Sequence, residues 1–342
     1  MKQSRSIISS ALAGDEPQQA HEDEAETGPD SELRQLCMGP AQHGARLDRA
    51  LAALVPEFSR SYLQQLIEAG AVQLGDAVCR KAARRVKIGE QGSIELRPTP
   101  QSQAFQPQAM PIDVVFEDEH LLVLNKPAPL VVHPAPGHWS GTLLNGLLAR
   151  DDTARLLPRA GIVHRLDKDT TGLMVVARSR TAMDALVQLI AAREVSRRYL
   201  ALAHRPWSGP ATRQVDAPVG RDPRNRLRMA VVDLHKNAGK PASTLIDMQQ
   251  NCEHGCWVRC TLHTGRTHQI RVHMASLGHP LVADEVYGGT PAAGMQRQAL
   301  HAYHLAFVHP MTGRALEFHA PLPADMRQAL SAWGLRDTPF SD

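Results

Sequence analysis

Gly161-Ile162-Val163-His164-Arg165-Leu166-Asp167-Lys168-Asp169-Thr170-Thr171-Gly172 is the densest polar segment of the chain, and it runs straight into the apolar run Leu173 to Ala177. A charged loop is therefore held directly against a strand that reads as buried. Loops fixed by a rigid scaffold are where catalytic groups concentrate. From these residues alone two accounts stand: a catalytic loop, or a solvated turn in which Asp167 or Asp169 caps backbone donors.

Outward from this loop, Leu121 to Asn125 and Tyr199 to Ala203 read as further strands. Thr181 and Asp184 resemble a capping box opening a helix that presents Leu186, Leu189 and Ile190. These elements place one mixed domain over residues 112–333, with a short tail at 334–342. Upstream, Pro98, Pro100, Pro107 and Pro111 among glutamines mark a semi-extended linker at 98–111. Residues 41–97 read as a small domain. Leu47, Leu51 and Leu54 share a helical face before Pro56, and a second helix follows Ser59 with Tyr62, Leu63, Leu66 and Ile67. Val72 and Leu74 then alternate into a Gly75-Asp76 turn, and Ser93 to Leu96 forms a short strand. Residues 1–40 lack apolar periodicity and read as a disordered acidic tail.

The 342 residues favour two domains, and 43% apolar content supports a real core. Five unpatterned cysteines fit a reducing compartment. Lys2 and Arg5 precede an apolar run, Ile7 to Ala13, but Ser9 and Ser10 break it, so the chain reads as cytoplasmic and not membrane-spanning. The net charge of +3 is uneven: residues 1–36 carry −5 and the remainder +8. That fits a polyanionic partner, or equally a mildly basic enzyme with a solvated tail.

Cys252, Cys256 and Cys260, with His254 and His263, invite a metal reading, but their spacing matches no zinc ribbon. In an extended segment the three cysteines would share one apolar face as buried structural residues. His268, His273 and His279 are not spaced as a helical ligand pair either.

His164 to Leu173 resembles the signature loop of the RluA family of pseudouridine synthases. Asn125-Lys126-Pro127 with Val132-His133-Pro134, Arg198-Tyr199, and Gly265 to His273 resemble further segments of that family in its order. Residues 46–96 resemble an S4 RNA-binding domain, and the tail, linker and ending (His319 to Pro323) are most like the RluD branch. The resemblance implies an α+β catalytic domain on a mostly antiparallel mixed sheet, preceded by the S4 domain. It implies that Asp167 is the catalytic carboxylate, acting as nucleophile or base. Arg271 would be its cationic partner, an arrangement that typically lowers an Asp pKa by about 1–3 units. Tyr199 would stack on uracil, and Arg165 would help extrude the target base, at a cost of a few kcal/mol. His164 reads as structural or as a phosphate contact. Pseudouridylation adds no group and moves no electron, so neither cofactor nor metal is required.

For RNA contact, Arg80, Lys81, Arg84, Arg85 and Lys87 form one basic stretch, and Arg221, Arg224, Arg226 and Arg228 another. Arg193, Arg197 and Arg198 cluster near Tyr199. Such groups position RNA through phosphates unless they are simply solvated surface. The branch implies uridines in a stem-loop of large-subunit (23S) ribosomal RNA, with the large subunit or its precursor as partner and a monomeric enzyme. The rivals are a sibling synthase acting on other ribosomal or transfer RNA uridines, and a non-catalytic assembly factor.

Overall fold

The computed structural model describes residues 31–99, 102–135 and 137–337. The chain divides into two compact units after Thr99. The small unit contains β1 (Glu32–Cys37), α1 (Leu47–Leu54), α2 (Arg60–Glu68), β2 (Val72–Leu74), β3 (Ala77–Val78) and β4 (Gln91–Leu96). Its sheet runs β1-β4-β2-β3, and Leu47, Leu51, Leu63, Leu66 and Ile67 from the helices form its core with Val72 and Ile94. The Ser59 hydroxyl caps α2 by accepting from the Tyr62 amide. Asp48 on α1 is fully buried and accepts from Arg46, Arg60 and Gln64 at 3.1, 2.7 and 2.6 Å, which ties α1 to α2. Burial works against its charge, but these bonds outweigh it and hold the Asp48 pKa well below the usual value.

Strand β1 corrects the expectation of disorder through residue 40. Only Leu36 in it is buried, so the sequence carries no alternation there. Six residue pairs with β4 hold it through the backbone, which is indifferent to side-chain type. The remainder of the proposed tail, residues 1–30, lies outside the described residues.

The large unit begins with a 3-10 turn, Ser102–Phe105, inside the expected linker. The Asn145 side chain donates to the carbonyls of Ala104 and Gln106, so the second half of that segment is docked and not a free spacer. There follow β5 (Val114–Glu117), β6 (Leu121–Lys126), α3 (Leu143–Arg150), β7 (Thr171–Ala177), α4 (Arg180–Ala192), β8 (Ser196–His204) and β9 (Thr212–Asp216). Next come β10 (Val219–Arg221), β11 (Met229–Val231), β12 (Gly239–Lys240), β13 (Ser243–Asn251), β14 (Gly255–Leu262) and α5 (Gln269–Ser276). The unit closes with β15 (Leu300–Val308), β16 (Ala315–His319) and α6 (Ala324–Ala332).

The main sheet runs β5-β6-β7-β15-β8-β14-β13-β9, with β16 beside β15. Only β7 and β15 pair in parallel, so the sheet is the expected mostly antiparallel mixed one. All seven residues of β7 are buried, which explains why it reads as an unbroken apolar run. One face packs α3 and α5 around Tyr199, Val258 and Met174. The other carries α4 over β6 and β7, and α6 over Leu200, Leu202 and Trp257.

Three details depart from the sequence reading. Ser179 caps α4, accepting from the Ala182 amide, while Asp184 pairs with Arg180 instead of closing a box with Thr181. Cys256 and Cys260 share the α5 face, but Cys252 packs on the α6 side, because it precedes the turn between β13 and β14. Leu335 is buried against α6 and Arg336 bonds to Gln250, so the packed unit runs past the expected tail boundary at 334. Residues 338–342 lie outside the described residues. Among the described residues no helix is long and apolar enough to cross a membrane.

Candidate active site

The segment before β7 is fixed at nearly every residue. His164 Nε2 accepts from the Val175 amide at 3.0 Å, and Leu166 is buried in the core. The Lys168 carbonyl accepts from the Leu130 amide and from Lys126 Nζ. Lys126 is fully buried, and its ammonium also donates to the carbonyls of Pro127 and Leu130. Burial pushes its pKa down to about 7. Three carbonyl acceptors use all three ammonium protons, which favours the charged form. Gly172 has φ +117, and a Cβ there would lie 2.2 Å from the Ala302 carbonyl oxygen; glycine is what lets β7 approach β15.

This loop presents Asp167 into a pocket of about 440 Å³, shared with His164, Arg165, Tyr199 and Arg271. Arg271 Nη1 donates to Asp167 Oδ2 at 3.1 Å. The same guanidinium is bound at its other edge by Asp284, at 2.7 and 2.8 Å, and lies 5.0 Å over the Tyr287 ring. Burial opposes the Arg271 charge, but Asp284 and then Asp167 outweigh it and raise its pKa. Arg271 is 5% exposed, so it is not an ordinary surface charge.

The second oxygen of Asp167 faces His268 Nε2 at 3.7 Å. His268 Nδ1 lies 2.8 Å from Tyr287 Oη, which itself accepts from the Met229 amide. A phenol donating to Nδ1 leaves the imidazole proton on Nε2, facing Asp167. His268 opens α5 in the left-handed region at φ +56, a conformation non-glycine residues seldom adopt. Burial lowers its pKa, so the ring is neutral at pH 7.

Tyr199 belongs to both core and pocket: it is 5% exposed, and burial pushes its pKa up to about 12. Arg165 is exposed at the pocket rim. His164 Nε2 is taken by the Val175 amide while its Nδ1 is buried without a partner, and burial pushes its pKa down to about 3; it stays neutral.

Of the expected RNA-contact groups, His164, Arg193 and Arg197 line this pocket, whereas the Arg221 to Arg228 group does not. Arg221, Arg224, Arg226 and Arg228 sit on the β10–β11 hairpin, where Arg228 pairs with Asp222 and Arg221 donates to the Arg226 carbonyl. The Met229 amide, bonded to Tyr287, links that hairpin to the site. In the small unit, Arg84 pairs with Glu90, while Arg80 and Arg85 donate to the carbonyls of Glu68 and Gly44. Lys81 and Lys87 are exposed. Sequence reasoning missed His268, Asp284 and Tyr287. His268 lay within a segment already singled out; Asp284 and Tyr287 belong to no pattern visible in the sequence.

The sequence model for RNA pseudouridylate synthase matches residues 120–276, and that of the S4 domain matches residues 45–91. A ribosomal large subunit pseudouridine synthase D from Neisseria meningitidis serogroup B is 46% identical over 301 residues, covering 84% of this chain and 78% of that protein. One from Escherichia coli strain K12 is 44% identical over 298 residues, covering 83% and 89%. The solved structure of human RNA pseudouridylate synthase domain containing 1 has a TM-score of 0.52 at 25% identity, covering 69% of this chain and 100% of that one. With this sheet, this loop and an S4 domain ahead of them, the chain belongs to the RNA pseudouridylate synthase family.

Proposed function

We propose that this chain isomerises uridine to pseudouridine in a stem-loop of large-subunit ribosomal RNA, as a cytoplasmic monomer, with Asp167 as the catalytic carboxylate. The observation that carries the reading is the half-open Asp167: one oxygen is held by an arginine that Asp284 fixes in place, and the carboxylate faces a pocket walled by Tyr199. The N1–C1′ bond of the target breaks, the uracil turns, a C5–C1′ bond forms as C5 loses its proton, and N1 takes up a proton in its place. Atoms and electrons balance without a cofactor or metal. A carboxylate so placed can serve as nucleophile or as base. Arg271 orients it and supplies the balancing charge, Tyr199 stacks on the extruded uracil, and Arg165 at the rim takes the vacated place in the RNA. That the relatives are ribosomal large subunit pseudouridine synthases supports the ribosomal target.

The basic stretch of the small unit and the β10–β11 hairpin hold RNA phosphates and so position the stem-loop. The test is to map pseudouridines on large-subunit RNA from a strain lacking the gene, complemented with wild type or Asp167→Asn. Missing sites restored only by wild type support the reading. Restoration by the variant overturns the role of Asp167, and an unchanged map overturns the ribosomal target.

A further inference from the structure

Arg197 stands two residues before Tyr199 on β8, so both side chains project to one face, and both line the pocket. It is 7% exposed, yet among the described residues its side chain forms no ion pair and no hydrogen bond, and its Nε is buried without a partner. Its guanidinium lies against the backbone of Gly265, where a Cβ would stand 2.9 Å from Nη1. Its charge reaches His164 and Tyr199 on the neighbouring walls. The pocket lining holds six arginines and a single carboxylate, Asp167, which Arg271 already engages.

A buried, unpaired guanidinium costs several kcal/mol in an isolated protein. Such a cost is retained where a ligand supplies the missing anion. The planar fork of arginine matches two oxygens of a phosphate. We propose that Arg197 is a phosphate-binding subsite, taking a phosphodiester that flanks the target nucleotide and so seating its base against Tyr199. This rests on the reading of the pocket as the uridine site. It differs from the phosphate contacts of the hairpin and the small unit, because the anion is bound inside the reaction pocket by a residue with no other partner.

The test uses the full chain and a stem-loop RNA carrying, in turn, a neutral methylphosphonate at each linkage near the target uridine. Binding is measured in the Asp167→Asn background, with Arg197 intact or replaced by Met or Lys. Arg197→Met should weaken binding by about ten- to a hundredfold, the usual range for a hydrogen bond to a charged group. It should flatten the slope of log affinity against log salt by about 0.7–0.9, the amount for one neutralised phosphate. One methylphosphonate position should weaken binding when Arg197 is intact but cause no further loss in Arg197→Met. Arg197→Lys should keep the salt slope while losing part of the affinity. With its unpaired charge gone, Arg197→Met should melt no lower than the parent. An unchanged salt slope, additivity at every linkage, or a lowered melting temperature with intact RNA affinity would each overturn the subsite. Tritium release from C5-labelled RNA by the wild-type chain tests the underlying isomerisation separately, so the two failures are told apart.

Discussion

Each unit of this protein holds a carboxylate beside arginine, and the two are built for opposite ends. Asp48 in the small unit has a fully buried side chain and accepts from Arg46, Arg60, Gln64 and the Arg49 amide. Asp167 in the large unit is 16% exposed, accepts one arginine bond, and keeps its other oxygen beside His268 at 3.7 Å. The first has no acceptor position left for chemistry. The second has one, and the burden of fixing Arg271 is transferred to Asp284. Asp167 thus keeps an acceptor position open for the chemistry proposed for it, while a third group holds its partner.

The sharpest way to break this comparison is Asp167→Asn. It should cut tritium release from C5-labelled RNA by on the order of 10⁴-fold or more, the scale of losing an essential nucleophile, while melting within a few degrees of wild type. Wild-type turnover would end the contrast. Asp284→Asn should damage both properties, because it leaves Arg271 buried with half its partners. Activity should fall by on the order of 10²-fold, and stability by about 3–5 kcal/mol in urea unfolding. A loss of stability with full activity would mean that Arg271 needs no holding.

Asp48→Asn should show the reverse pattern. The small unit should lose about 3 kcal/mol, the low end for breaking a buried pair, while turnover at saturating RNA stays at the wild-type rate. Because the folded pKa of Asp48 lies below its unfolded value, its contribution is fully present above about pH 4. It is lost as pH falls through the folded value. Acid unfolding of the small unit, followed by circular dichroism, should therefore be steeper in wild type than in the variant. The smallest effect is expected from removing residues 1–99. Affinity should drop with a shallower salt slope, by about 0.7–0.9 for each phosphate that the truncated chain no longer neutralises. Saturating RNA should restore the wild-type rate. A rate that no RNA concentration restores, in a folded truncation, would give the small unit a part in the chemistry.

One short polar loop made Asp167, Arg165 and His164 candidates, but from the residues alone a solvated turn stood equally open, and it was the family resemblance that singled out Asp167, Tyr199 and Arg271. Asp284 and Tyr287 were not visible, since their partnership with Arg271 is created only when the chain folds back after α5. Arg197 and Arg198 were grouped by adjacency, yet strand alternation sends Arg197 into the pocket and Arg198 to Tyr303 on the other face. The central strand β7 was legible from its apolar run. The edge strand β1 was not, because backbone ladders leave little trace in side-chain pattern.

Lys126 ties the loop that carries Asp167 to the end of β6. Its three bonds reach the carbonyls of Pro127, Leu130 and Lys168, the last 42 residues further along the chain. The Pro127 and Leu130 carbonyls are local to the end of β6, so it is the Lys168 carbonyl that makes the full complement of ammonium bonds depend on the loop reaching β6.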